Sequence, residues 1–137
     1  MTQHVDMNGL WSGTYSYDLI DDPVRCTAWI DDQNGVLGGT ITEPNTFVKN
    51  GPDELLAVIN GARTGQMIAF VKTYATDSGA HSENIYYEGQ ANAALTEVNG
   101  IWRFRALDVS QGKFTLSRLS SAFEKAATRA AFAPVDR

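Results

Sequence analysis

Between Gly9 and Leu119 the chain is a procession of short segments in which apolar and polar residues alternate, each closed by Gly, Asn, Asp or Pro. A period of two sends successive side chains to opposite faces of an extended strand. Short strands joined by turns pair with their sequence neighbours, and about eight of them close naturally into a barrel. The expected fold is all-β: an up-and-down antiparallel meander closed as an approximately eight-stranded barrel over about residues 9–119. A short C-terminal helix over about 120–133 would complete a single domain spanning 1–137.

The first strand is expected over Leu10–Asp18, with Trp11, Tyr15 and Tyr17 on one face and Ser12, Thr14 and Ser16 on the other. Asp21-Asp22-Pro23 reads as a turn. Val24–Ile30 follows, with Val24, Cys26, Ala28 and Ile30 opposite Arg25, Thr27 and Trp29. Asn34-Gly35 is the strongest hairpin signal in the chain, because both residues readily take the positive φ angles of a type I′ turn. Val36–Glu43 is the third strand, and its Gly38-Gly39 pair predicts a bend or bulge. After a loop over Pro44–Asp53 come Leu55–Ala62 and Gln66–Tyr74, joined near Arg63-Thr64-Gly65. The next segments are Asn84–Ala94, a turn at Asn99-Gly100, then Ile101–Ala106 and Lys113–Leu119. In the fourth strand Leu55-Leu56-Ala57-Val58-Ile59 is apolar on both faces, so its outer face calls for a cover, either the C-terminal segment or another subunit. In that segment Ser121-x-x-Glu124 has capping-box spacing, and Phe123, Ala126, Ala127, Ala130 and Ala131 recur at helical intervals.

Charge narrows the partners. Residues 1–54 carry nine acids and two bases, a net of −7, and residues 103–137 carry seven bases and three acids, a net of +4. The whole chain is at −5, which argues against nucleic acid as a partner, since phosphate neutralisation needs a basic surface. In a closed barrel the first and last strands are neighbours, so the acidic start and the basic end would neutralise each other. No apolar run approaches the roughly 20 residues of a membrane helix. The first residues have neither a basic region nor an apolar stretch, and the single Cys26 cannot form an intrachain disulfide. A soluble, cytoplasmic protein with no membrane partner is expected.

Familiar reaction motifs are missing from the sequence: there is no Gly-rich phosphate loop, nucleophile elbow or Cys-x-x-Cys pair. His4 and His81 have no ligand-type residue at metal-binding spacing, so no metal and no cofactor are expected. Asp31-Asp32-Gln33-Asn34-Gly35 lacks the alternation and distal Glu of a calcium loop and reads as a solvated turn. Cys26, between apolar neighbours, reads as an inert thiol. Among ionisable residues in strands, Glu88 is expected outside the barrel, as are Arg103 and Arg105, which share a face with Ile101. Arg118 either stacks on the Trp11 indole or is an ordinary surface arginine. An enzyme of isomerase or cyclase type would require Glu43, Arg63 or another ionisable group to point inward. The aromatic residues Trp11, Tyr15, Tyr17, Tyr87, Trp102 and Phe104 are expected to face the interior. They are the candidate ligand-binding residues, because rings bury large areas and Tyr or Trp adds a polar tip; the alternative is that they simply fill the core.

The order of several short motifs resembles the streptavidin-like and wider calycin barrels. Gly9-Leu10-Trp11 is similar to the Gly-x-Trp opening of avidins and lipocalins, and Gly35-Val36-Leu37-Gly38-Gly39-Thr40 to the Gly-x-Leu-x-Gly-Thr arm of avidins. Tyr87-Glu88-Gly89-Gln90 resembles their Trp-Ser-Gly-Gln, Ile101-Trp102 their seventh-strand Trp, and Lys113-Phe114-Thr115 their final strand. The resemblance implies an avidin-like barrel, with oligomer formation. It does not imply biotin binding, because the positions matching the ureido-binding residues are Gly13, Tyr17, Ile41 and Glu43, and the last-strand Asp is replaced around Gly112-Lys113. The functional expectation is a non-enzymatic barrel that takes a small apolar or aromatic ligand. The alternative is a filled structural barrel whose doubly apolar fourth strand makes a homo-oligomer.

Overall fold

A computed structural model describes residues 5–17, 20–46, 48–75, 84–104 and 111–119. Eight strands follow one another: β1 (Gly9–Tyr17), β2 (Ile20–Gln33), β3 (Val36–Pro44), β4 (Glu54–Thr64), β5 (Met67–Tyr74), β6 (Ile85–Ala91), β7 (Glu97–Phe104) and β8 (Gln111–Arg118). Each pairs antiparallel with the next, and β8 returns to β1, closing the barrel. The meander barrel read from the alternation is therefore the observed architecture. The expected C-terminal helix lies outside the described residues, as do His4, His81 and Arg105.

Alternation decides which side chains form the core. On β4, Leu55, Ala57 and Ile59 are buried; on β5, Ile68 and Phe70; on β1, Trp11 and Tyr15. Each large apolar side chain removed from water contributes about 1.5–3 kcal/mol, and a barrel gathers eight such faces around one axis. Outward residues include Glu88 and Arg103, which sit 3.7 Å apart and largely exposed. Leu56 and Val58 point outward at 44% and 42% exposure, and nothing among the described residues covers them.

Three expected turns or bends resolve differently. Asp21-Asp22-Pro23 lies within β2. Proline is tolerated there because the β1–β2 register slips between Tyr15 and Tyr17, and the pairing of β2 with β3 begins only at Thr27; no ladder bond requires the missing N–H. Asn99-Gly100 is inside β7, and the actual turn is Asn92–Thr96, where the Asn92 side chain accepts from the Thr96 and Glu97 amides at 2.8 and 3.0 Å. Gly100 serves close packing instead: a Cβ there would strike the Glu88 carbonyl and the Phe114 ring. Gly38-Gly39 produces no register shift against either neighbour; Gly39 is held against the Trp29 carbonyl at a φ of 142°. The β2–β3 hairpin is as expected, with Asn34 at φ 55° and Gly35 at φ 91°.

One end of the barrel is plugged. Met7 is fully buried, and its carbonyl accepts from Trp11 Nε1 at 2.9 Å. Its amide donates to Asp32 Oδ2 at 2.9 Å, while Asp32 also accepts from the Gly35 amide at 2.9 Å and Arg63 Nε at 2.7 Å. Arg118 lies 4.8 Å above the Trp11 ring and donates to the carbonyls of Leu95, Asn8 and Asp6. The stacking alternative for Arg118 is the one observed. It binds the acidic N-terminal segment through backbone carbonyls, which supply negative partial charge without a carboxylate.

Candidate functional site

In an up-and-down barrel every second strand runs the same way. The later residues of β1, β3, β5 and β7 therefore gather at the end opposite the plug. Inward positions there are Tyr15 and Tyr17 on β1, Glu43 on β3, Lys72 and Tyr74 on β5, and Trp102 and Phe104 on β7. Tyr87 joins them from β6, since it stands opposite Trp102 in the β6–β7 register.

Glu43 and Lys72 are each 1% exposed and form an ion pair. Such a pair persists only where further hydrogen bonds support both charges. Glu43 Oε2 accepts from the Tyr15 hydroxyl at 2.5 Å, and the Tyr74 hydroxyl is 3.1 Å from both carboxylate oxygens. Lys72 also donates to the Tyr74 oxygen at 3.2 Å. Its ammonium lies 4.8, 4.7 and 5.9 Å from the ring centroids of Tyr15, Tyr74 and Tyr87, a three-sided aromatic cage.

These surroundings keep the phenols protonated. Burial and then the Glu43 charge push Tyr15 and Tyr17 above the ordinary phenol value. The same two causes, in the same order, raise Tyr74. Burial, then Tyr74 and Glu43, raise Tyr87 further. Half-buried Cys26 is pushed up to about 11, first by burial; the Lys72 charge opposes that shift and Glu43 adds to it. The thiol is not activated as a nucleophile. Chemically the cluster is a set of hydrogen-bond donors fixed around one carboxylate–ammonium pair.

Around it the rings pack edge to face. Trp102 contacts Tyr17, Tyr15 and Phe104 at 5.0, 6.1 and 6.1 Å between centroids. Phe70 stacks on Tyr87 at 4.7 Å, with Phe114 edge-on to both. Of the six aromatic candidates, Tyr15, Tyr17, Tyr87, Trp102 and Phe104 come together at this end, with Tyr17 and Phe104 only partly buried. Trp11 stands apart, at the plug, and its N–H is taken by Met7. Glu43 does point inward, whereas Arg63 is at the plugged end on Asp32. Lys72 and Tyr74 escaped sequence reasoning. The available signal was a lysine in phase with Ile68, Phe70 and Tyr74, a charge on an otherwise apolar strand face.

Among the described residues, no three of His, Cys, Asp and Glu gather as a metal site, and no helix is long and apolar enough to cross a membrane. Comparison of the chain with protein-family models, curated proteins and solved structures finds no match, so the functional reading rests on this geometry.

Proposed function

We propose that this protein is a non-enzymatic binding barrel that takes a small aromatic ligand at the end lined by Tyr15, Tyr17, Tyr87, Trp102 and Phe104. The observation that carries this reading is the Glu43–Lys72 pair, fully buried and hydrogen-bonded to Tyr15 and Tyr74. A barrel that needed only a filled interior would gain as much from apolar residues, because replacing a buried ion pair by well-packed apolar groups is often neutral or stabilising. An ion pair beside partly exposed rings, opposite a plugged end, suits selective binding. The chain is read as streptavidin-like on the same footing, supported by motif order and by the eight-strand meander; a cytoplasmic location belongs to this reading too. Native mass spectrometry of the purified chain and a thermal-shift screen with mono- and bicyclic aromatics test it. A ligand mass or a raised Tm is expected; no bound mass and no shift across the panel would reduce the barrel to a scaffold.

A second reading, homo-oligomer formation, is favoured by the outer face. Trp29, Thr40 and Val58 form one cross-strand row and Thr42 pairs with Leu56 in the adjoining one; Trp29 is 40% exposed, like its apolar neighbours. Such a stripe is a surface that a second copy would cover. Light scattering at micromolar concentration should give a multiple of the chain mass, and Val58→Lys should return the monomer. A wild-type monomer removes the motive.

A further inference from the structure

Resting on the binding reading above, we infer the chemical class of the ligand: a neutral aromatic carbonyl compound, whose oxygen accepts from Lys72 and Tyr87. The inference follows from which donors and acceptors are already used. Glu43 Oε1 accepts from Lys72 and Tyr74, and Oε2 accepts from Tyr15 and Tyr74. The carboxylate is therefore surrounded. Tyr15 and Tyr74 have one hydroxyl proton each, and both protons are directed at Glu43. Lys72 has three N–H donors but only two acceptors among the described residues, Glu43 and the Tyr74 oxygen. Tyr87 is 5% exposed, and its hydroxyl has no hydrogen-bond partner among the described residues. No buried side-chain N or O among the described residues lacks a partner, so the Tyr87 hydroxyl is reached by solvent and not sealed in the core. It and the third ammonium proton are unused donors on neighbouring groups, in a site whose carboxylate is taken.

Charge then selects among acceptors. A cationic ligand would need a free carboxylate and an open aromatic cage, but Glu43 and the Tyr15, Tyr74 and Tyr87 rings already hold the Lys72 ammonium. An anionic ligand would bring a second negative charge beside Glu43 with one ammonium between them, which burial disfavours. A ketone, ester or amide oxygen on a ring accepts both donors and adds no charge, while its ring packs against Trp102 and Phe104.

The test uses the full chain and four probes of similar size that differ in one group: acetophenone, isopropylbenzene, benzoate and benzylammonium. Affinities come from calorimetry, and the carbonyl stretch of bound acetophenone from infrared difference spectra. Acetophenone is expected to bind about tenfold or more tighter than isopropylbenzene, the margin of one recovered hydrogen bond, with a lowered carbonyl frequency. Tyr87→Phe should erase most of that margin and part of the frequency shift. If isopropylbenzene, benzoate or benzylammonium binds as tightly as acetophenone, or if Tyr87→Phe leaves the margin intact, the carbonyl class is wrong although the binding barrel stands. If none of the four binds, both fall.

Discussion

The Glu43–Lys72 pair shows how much a single inward charge depends on its neighbours. Each ion is removed from water and is held by the other together with Tyr15 and Tyr74. Removing one partner strands the other, so Glu43→Gln and Lys72→Met are each expected to lower stability by about 3–5 kcal/mol. The double variant Glu43→Gln/Lys72→Met should lose much less than the sum, because it strands no charge. Urea denaturation of the four proteins measures this cycle; additive losses would show that the pair is not coupled. At this scale the sequence was only partly legible. Glu43 stood out as an ionisable group in a strand, and alternation put Trp102 inward and Arg103 outward, as found. Lys72 did not stand out, because its meaning comes from a carboxylate 29 positions away along the chain, an adjacency that only barrel closure creates.

Elements show the opposite balance. The β2–β3 hairpin is encoded locally, in Asn34 and Gly35, and was readable from the dipeptide. The plug was legible only in its stacked Trp11–Arg118 contact; the rest depends on Met7, Asp32 and Leu95 being brought together by three separate strand ends. Arg118 is the pin: it covers the Trp11 ring and binds the Asp6 and Asn8 carbonyls. Arg118→Ala is expected to cost about 3 kcal/mol, combining a cation–π contact with charge-assisted bonds. It should also release the segment ahead of β1, seen as faster hydrogen exchange at the Met7 amide, now bonded to Asp32. Unchanged protection there would mean that Asp32 holds the plug without the arginine. Two turns were misread for one physical reason: Gly100 and Pro23 are also signals for a close approach and for a strand segment lacking a partner, and a residue type does not say which use applies.

For the whole molecule, pH integrates these sites. Burial alone would raise Asp32, but hydrogen bonds from Arg63, Met7 and Gly35 and the Arg63 charge prevail and hold it below the ordinary carboxylate value. Its contribution is present above about pH 4 and is lost as pH falls through the lowered folded value. The buried phenols and Cys26 are raised, so their contribution is complete below about pH 8.5 and declines as pH rises, through about 11 for the thiol and higher for the phenols. Stability from these groups should therefore be level between about pH 4 and 8.5 and fall on both sides. Urea midpoints across that range, with tyrosinate absorbance recorded in parallel, check it; tyrosinate from Tyr15 or Tyr87 appearing in the folded chain near the ordinary phenol value would contradict it. The amino-acid sequence by itself determined the class of structure, because a period of two and local turn chemistry leave few folds other than a meander, and its alternation put Trp11, Tyr15, Tyr87 and Trp102 inward, where they are buried. Only the tertiary structure decided that one end is plugged and that a carboxylate, an ammonium and three phenols meet at the other, because strand direction and register bring together residues that no local pattern connects.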